Sequence, residues 1–173
     1  AWNEKQYHSH VRSCETNWED AQTLTGHVNN SVWVNQDYFF VVKFNRPVTE
    51  HTYLPLAETE KGHRIVASFD MKPEEELLVK SALSTTSVEG AKKNLETEVP
   101  GWEFDATCQA AKENWNNYLS RIDVTGTPDQ LVNYYTSFYH ALIQPNQVSD
   151  VDGMYRNAKN EIVKTTGDAF YST

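Results

Sequence analysis

The stretch "KSALSTTSVEGAKKNLETE", residues 80–98, is where the chain changes from strand-like to helix-like spacing. Its residues 86–89, "TSVE", have the pattern of a capping box with Thr86 as the N-cap, in which a hydroxyl and a carboxylate each satisfy a free amide of the first helical turn. Val88, Ala91 and Leu95 then recur at helical spacing until a Val-Pro-Gly sequence ends the run. The sequence therefore predicts strands before Thr86 and helices after it.

The first half of the chain contains segments rich in β-branched and aromatic residues, which are typical of strands. These segments are "SVWV" (31–34), "DYFFVVKF" (37–44), "HRIVASFD" (63–70) and "EELLVKSALS" (75–84). The uninterrupted apolar run Tyr38–Val42 predicts a strand covered on both faces. We expect an antiparallel, sandwich-like sheet, but the strands are too few to close a sandwich, so we expect a partial one.

Two more helices are predicted after residue 101. The first carries an apolar stripe from Phe104 to Ile122 that includes Cys108, which we therefore expect to be buried. The second opens at "TPDQ" (127–130), with Thr as N-cap, Pro at the first helical position and Gln as capping-box partner. Its body is apolar nearly all round, so it needs neighbours on several sides, and we expect His140 to lie in a core. Since only three helices are predicted, we interpret the chain as a piece of a larger two-domain protein.

Composition and charge exclude several classes of function. Of the 173 residues, 39% are hydrophobic and 23% charged, and the net charge is −9, which argues against nucleic-acid binding because no surplus of Lys and Arg is available for phosphates. No apolar run approaches the roughly 18–20 residues that a membrane span needs. Cys14 and Cys108 are too far apart in sequence for a local zinc clip, and the pair His8 and His10 has no obvious third ligand.

The motif "SDVDG", residues 149–153, resembles a calcium loop at first sight. An EF-hand loop with Gly153 at its sixth position would need oxygen ligands at the first and twelfth positions, where this chain has Val148 and Lys159. The EF-hand interpretation therefore fails. Two alternatives remain: Asp150 and Asp152 cap turns and pair with Arg156 to hold the loop in shape, or they contact a sugar or a metal directly.

Several segments resemble the glycoside hydrolase family 92 α-mannosidases. The similar segments are "TTSVEGAKKNLETEVPGWEFDA" (85–106), "WNNYLSRIDVTG" (115–126) and "FYHALIQPNQVSDVDGMYR" (138–156). The resemblance covers about residues 25–173, and residues 1–24 match nothing that we can assign. It implies an α+β chain: a partial antiparallel β-sandwich, linker helices and the first helix of an (α/α)6 barrel. On that map residues 1–85 belong to the N-terminal β-sandwich domain, 86–126 to the helical linker and 127–173 to the start of the catalytic barrel.

The resemblance also implies a function. Family 92 members are calcium-dependent, inverting exo-α-mannosidases, often α-1,2-specific, that trim mannose from N-glycans and are often exported to the periplasm, the cell surface or the medium. Inverting glycosidases need an acid and a base about 6.5–9.5 Å apart. In this family both groups, and most calcium ligands, come from the barrel beyond residue 173. We therefore expect this piece alone to be inactive, with mannose-containing glycans and the remainder of the parent catalytic barrel as its partners.

By the same resemblance, the loop after residue 143 lies on the sugar-binding face of the barrel. Asp150, Asp152, Tyr155 and Arg156 are therefore the predicted substrate-binding residues. One alternative is a non-catalytic carbohydrate-binding or domain-docking β-sandwich module. Another is a related (α/α)6 glycosidase or phosphorylase acting on a different sugar.

Overall fold

The computed structural model of the protein describes residues 10–31, 35–57 and 61–171. Six strands come first: β1 His10–Asp20, β2 Thr23–Ser31, β3 Asn35–Phe44, β4 Val48–Tyr53, β5 Ile65–Phe69 and β6 Val79–Ser84. Three helices follow, α1 Val88–Glu98, α2 Phe104–Leu119 and α3 Pro128–Leu142. Four short strands end the described part: β7 Asn146–Gln147, β8 Met154–Arg156, β9 Ile162–Lys164 and β10 Phe170–Tyr171. The predicted α+β class, with strands first and helices second, is confirmed.

The described residues divide into two compact units. The sheet unit contains the residues up to Trp102 together with Val148–Asp168, and the helical unit contains Glu103–Gln147 and the residues from Ala169 onward. Helix α1 and the hairpin β8–β9 therefore fold with the strands. The domain boundaries expected at residues 85 and 126 refer to a larger protein and stay a prediction.

The sheet unit is built on a four-stranded antiparallel sheet in the order β1-β2-β3-β6, and β4 pairs with β5 in a separate ribbon. Strand β1 and most of β2 were not predicted, because "HVRSCETNWED" and "TLTGHVNNS" are too polar to show a strand pattern. The segment 32–34 of the predicted strand "SVWV" lies outside the described residues.

A small core joins α1 to the sheet. Val41 from β3 and Ala91 and Leu95 from α1 are completely or almost completely buried and pack together. The helical spacing of Ala91 and Leu95 therefore identified the buried face of α1. Strand β3 lies between β2 and β6 in the sheet. The prediction that both its faces are covered is wrong for most of the apolar run, since Tyr38, Phe39, Phe40 and Val42 are only partly buried.

The cap of α1 differs from the prediction. Ser87, not Thr86, is the N-cap, and its side chain accepts a hydrogen bond from the amide of Gly90. The reason is tertiary: the hydroxyl of Thr86 donates to Asp150, 64 residues later in the chain. The capping box of α3 is confirmed, since Thr127 and Gln130 each accept from the other's backbone amide.

The helical unit has little core of its own among the described residues. Trp115 of α2 and Tyr139 of α3 bring their rings to 4.6 Å, but no residue of either helix is buried. Val132 of α3 is 65% exposed, and His140 is exposed rather than in a core. Cys108 is half-buried rather than buried. Apolar residues of α3 such as Val132 and Leu142 are therefore left exposed among the described residues, as expected. None of the helices in these ranges is long and apolar enough to span a membrane.

Leu95→Ala should lower the free energy of unfolding by about 2–4 kcal/mol, because it leaves a cavity beside Val41 in a core of very few residues. Leu83→Ala, which removes the same atoms from a side chain that is 62% exposed, should cost less than about 1 kcal/mol. Urea denaturation monitored by circular dichroism measures both. Equal losses in the two variants would contradict this location of the core.

Candidate functional site

The motif "SDVDG" forms a tight turn that begins the hairpin β8–β9. The amide of Gly153 donates to the carbonyl of Asp150, and the amide of Asp150 donates to the carbonyl of Met154. Gly153 has φ +81°, a left-handed conformation that favours glycine, and a Cβ there would lie 2.8 Å from the carbonyl oxygen of Thr165. The predicted hairpin around "NAKNEIVKT" is confirmed, since β8 pairs with β9 across this segment. The turn thus has a defined shape that presents its two aspartates to different neighbours.

Asp150 is buried, with only 4% of its surface exposed. Its Oδ2 accepts hydrogen bonds from the hydroxyls of Ser84 and Thr86, each at 2.7 Å, and its Oδ1 accepts one from the side-chain amide of Asn94 at 2.8 Å. Removing a carboxylate from water is costly unless hydrogen bonds replace its hydration, and three short ones do so here. The donors come from the end of β6, the loop after it and α1.

Two further features complete this network. Asn94 also donates to the carbonyl of Leu83 and accepts from the amide of Val151, so one side chain joins β6, α1 and the turn. Gly90 provides the space, because a Cβ at that position would lie 2.5 Å from the Asp150 carboxylate. The pattern is that of a turn bound tightly to the sheet unit.

Asp152, two residues later, is closer to solvent. Its carboxylate lies 2.8 Å from the ammonium of Lys93 and also accepts from the amide of Met154 at 3.2 Å. The hydrogen bond from Lys93, and next that from the Met154 amide, hold the pKa of the Asp152 carboxyl below its usual value. Asp152 therefore stays ionised and caps its own turn.

Arg156 extends the polar cluster to strand β3. Its Nε donates to the carbonyl of Thr85 at 2.9 Å, and its guanidinium lies 3.9 Å from the carboxylate of Asp37. Asp37 also accepts from His27 and Asn29 on β2, both at 2.8 Å. Burial acts to raise the pKa of the Asp37 carboxyl. The hydrogen bonds from Asn29 and His27, with the charges of Arg156 and His27, outweigh burial and lower this pKa.

These contacts bear on the two alternatives for the motif. For Asp150 the geometry favours the shape-holding role, because both carboxylate oxygens already accept hydrogen bonds inside the protein. Asp152, Tyr155 and Arg156 are partly exposed, and their contact with a sugar stays a prediction. The partners Ser84, Asn94 and Asp37 were not predicted. No sequence spacing could have revealed them, since they lie 56–119 positions away from the groups that they bind.

A calcium site does not fit the described residues. No group of three or more His, Cys, Asp or Glu side chains in residues 10–31, 35–57 and 61–171 is arranged to hold a metal ion. Asp150, which would be the natural oxygen ligand, is already engaged by three donors. His8 and the side chain of His10 lie outside the described residues.

Comparisons with known proteins identify a family. Residues 90–173 match the family described as "Glycosyl hydrolase family 92 catalytic domain". A comparison with curated proteins gives no match. The part of the chain from residue 90 onward therefore belongs to glycosyl hydrolase family 92.

Solved structures extend the likeness to nearly the whole chain. The family GH92 α-mannosidase BT3965 from Bacteroides thetaiotaomicron has a TM-score of 0.81 at 23% identity, over 94% of this chain and 24% of that one. It has also been solved with mannoimidazole, with a TM-score of 0.80 at 22% identity, over 94% of this chain and 23% of that one. The family GH92 inverting mannosidase BT2199 from Bacteroides thetaiotaomicron VPI-5482 has a TM-score of 0.74 at 22% identity, over 93% of this chain and 24% of that one. The chain thus spans about a quarter of these proteins and shares their fold.

Asp150→Ala should lower the free energy of unfolding of the sheet unit by about 2–4 kcal/mol, because the donors of Ser84, Thr86 and Asn94 would be left buried without an acceptor. It should also speed hydrogen exchange at the amides of Val151 and Gly153. Asp152→Ala is the matched control, and its effect should be far smaller because its carboxylate is near the surface. Urea denaturation and hydrogen exchange followed by mass spectrometry measure these effects, and similar behaviour of the two variants would refute the anchoring role.

The stabilising effect of Asp37 should depend on pH. Its pKa is lower in the folded than in the unfolded chain, so its contribution is complete above the unfolded value of about 4 and is lost as the pH falls through the folded value. The difference in unfolding free energy between the wild type and Asp37→Asn should therefore shrink as the pH falls below about 4. Asn29→Ala removes one of the hydrogen bonds that lower the pKa of Asp37. The unfolding free energy of this variant should therefore fall less than that of the wild type as the pH drops below about 4. A difference that grows as the pH falls below about 4 would contradict the prediction.

Proposed function

We propose that the protein to which this chain belongs is an exo-acting α-mannosidase that releases mannose from N-glycans, with α-1,2-linked mannose as its substrate. The observation that carries this proposal is the match of residues 90–173 to the catalytic domain of glycosyl hydrolase family 92. The fold shared with BT3965 and BT2199 over more than nine-tenths of the chain supports it. Because the match is to a catalytic domain, an enzyme is favoured over a non-catalytic binding module.

The proposed reaction is calcium-dependent hydrolysis with inversion at the anomeric carbon. Inversion requires one carboxylic acid to protonate the leaving oxygen and a second carboxylate to activate water on the opposite face of the sugar. Asp150 is engaged by three donors and Asp152 is paired with Lys93, so neither is proposed as the acid or the base. We assign both catalytic groups, and the calcium ligands, to the remainder of the parent catalytic barrel.

The proposed role of this chain is to build one side of the enzyme's framework. The apolar residues of α3 that are exposed here, Val132 and Leu142 among them, would pack against the remainder of the barrel. The anchored turn at Asp150 would hold Asp152, Tyr155 and Arg156 at the rim of the sugar site. We also propose that the enzyme is exported to the periplasm, the cell surface or the medium, where such glycans occur.

The full-length parent protein should release mannose from an α-1,2-linked mannobiose. Proton NMR at early times should show β-mannose as the first product, because inversion of an α-linkage gives the β-anomer. A calcium chelator should abolish release and added calcium should restore it. The 173-residue chain alone is the control and should release nothing. Absence of release by the parent, or first formation of α-mannose, would contradict the proposal.

A further inference from the structure

A cavity of about 270 Å³ lies in the sheet unit, on residues that none of the preceding sites uses. It is lined by Trp18 and Asp20 at the end of β1, by the turn that follows, and by Thr49, Glu50 and His51 of β4. A backbone hydrogen bond of 2.7 Å from the amide of Val48 to the carbonyl of Ala21 joins these two elements. The cavity is therefore formed by residues that are held together by the fold of the sheet unit.

The aromatic wall of the cavity is fixed in position. The indole of Trp18 packs against the ring of His51 at 4.9 Å and stacks on Phe44 at 6.0 Å. Phe44 in turn contacts Phe69 at 5.3 Å, so the wall continues into the ribbon β4–β5. An indole that is held in this way can receive a ligand without losing further side-chain freedom.

The polar wall of the cavity is acidic. Asp20 accepts from the amide of Gln22 and the hydroxyl of Thr49 donates to the carbonyl of Ser68, so both groups are fixed. Glu50 forms no side-chain hydrogen bond or ion pair within the described part of the chain, which leaves its carboxylate to accept from a ligand. No Lys or Arg lines the cavity, so an anionic ligand would be repelled by two carboxylates.

The chemistry of these walls suits one sugar ring. A pyranose has an apolar C–H face that packs on an indole, and hydroxyls around its edge that donate to carboxylates. The volume is slightly below the range of roughly 300–1,000 Å³ for drug-sized ligands, which fits a single ring with the rest of a glycan outside. We propose that this cavity is a carbohydrate-binding site that holds one mannose residue of a branched glycan. The choice of mannose rests on the proposed function.

The test uses the full-length parent protein and its retardation during electrophoresis through gels that contain increasing amounts of α-mannan. Trp18→Ala should weaken the affinity for mannan at least about tenfold, since it removes the ring surface. Glu50→Ala should weaken it by about tenfold as well, because a charge-assisted hydrogen bond is lost. Glu98→Ala, the same change at an exposed position of α1 outside the cavity, should leave the affinity unchanged. Circular dichroism identifies any variant that fails to fold, and Glu50→Ala, a change at an exposed side chain, keeps the test decisive if Trp18→Ala does not fold.

The outcomes separate this inference from the proposed function. If the wild type hydrolyses mannobiose and all variants bind mannan equally, the cavity proposal is wrong and the function stands. If hydrolysis is absent while Trp18→Ala and Glu50→Ala lose mannan binding, the cavity proposal stands and the function is wrong. Tetramethylammonium probes the rival ligand, since an indole beside carboxylates also suits an organic cation. Loss of its binding in both variants, with mannan binding unchanged, would overturn the carbohydrate assignment.

Discussion

The burial of one carboxylate, that of Asp150, constrains the arrangement of the sheet unit. A buried ionised group is tolerated only where hydrogen bonds replace its hydration, so Ser84, Thr86 and Asn94 must all converge on it. This convergence aligns the end of β6 with the first turns of α1. The chain leaves the sheet unit at Trp102, forms α2 and α3, and returns to the sheet unit at Val148. The hydrogen bonds to Asp150 determine where this returning segment is attached. The same requirement explains Gly90, since any side chain there would occupy the position of the carboxylate.

The two aspartates of "SDVDG" show how environment divides the roles of identical residues. Asp150 is buried and engaged by uncharged donors, whereas Asp152 is near solvent and paired with Lys93. Arg156, further along the same hairpin, lies close to Asp37 on β3 and so adds a charged contact between the hairpin and the sheet. Both carboxylates of the motif make contacts within the protein that attach the hairpin to the sheet unit. Any sugar contact that it makes would come from the exposed side of the turn.

The two units differ in how completely their apolar residues are buried. The sheet unit has a core, a polar network and an aromatic row that includes Trp18 and Phe44. The helical unit leaves apolar residues of α3 exposed. The family match begins at residue 90 and therefore includes α1 as well as both helices of the helical unit.

The sequence by itself determined the local elements. The spacing of Ala91 and Leu95, the "TPDQ" cap of α3 and the turn of the β8–β9 hairpin depend on neighbours within a few positions, so pattern and propensity were enough to locate them. Strand β1 and most of β2 were not predicted from the sequence, because these strands are stabilised by pairing across the sheet and lack an alternating apolar pattern. Only the tertiary structure decided that Thr86 donates to Asp150 instead of capping α1, and that the ring of Trp18 packs against that of His51. Such contacts join residues that are distant in sequence, and their formation depends on how the whole chain packs.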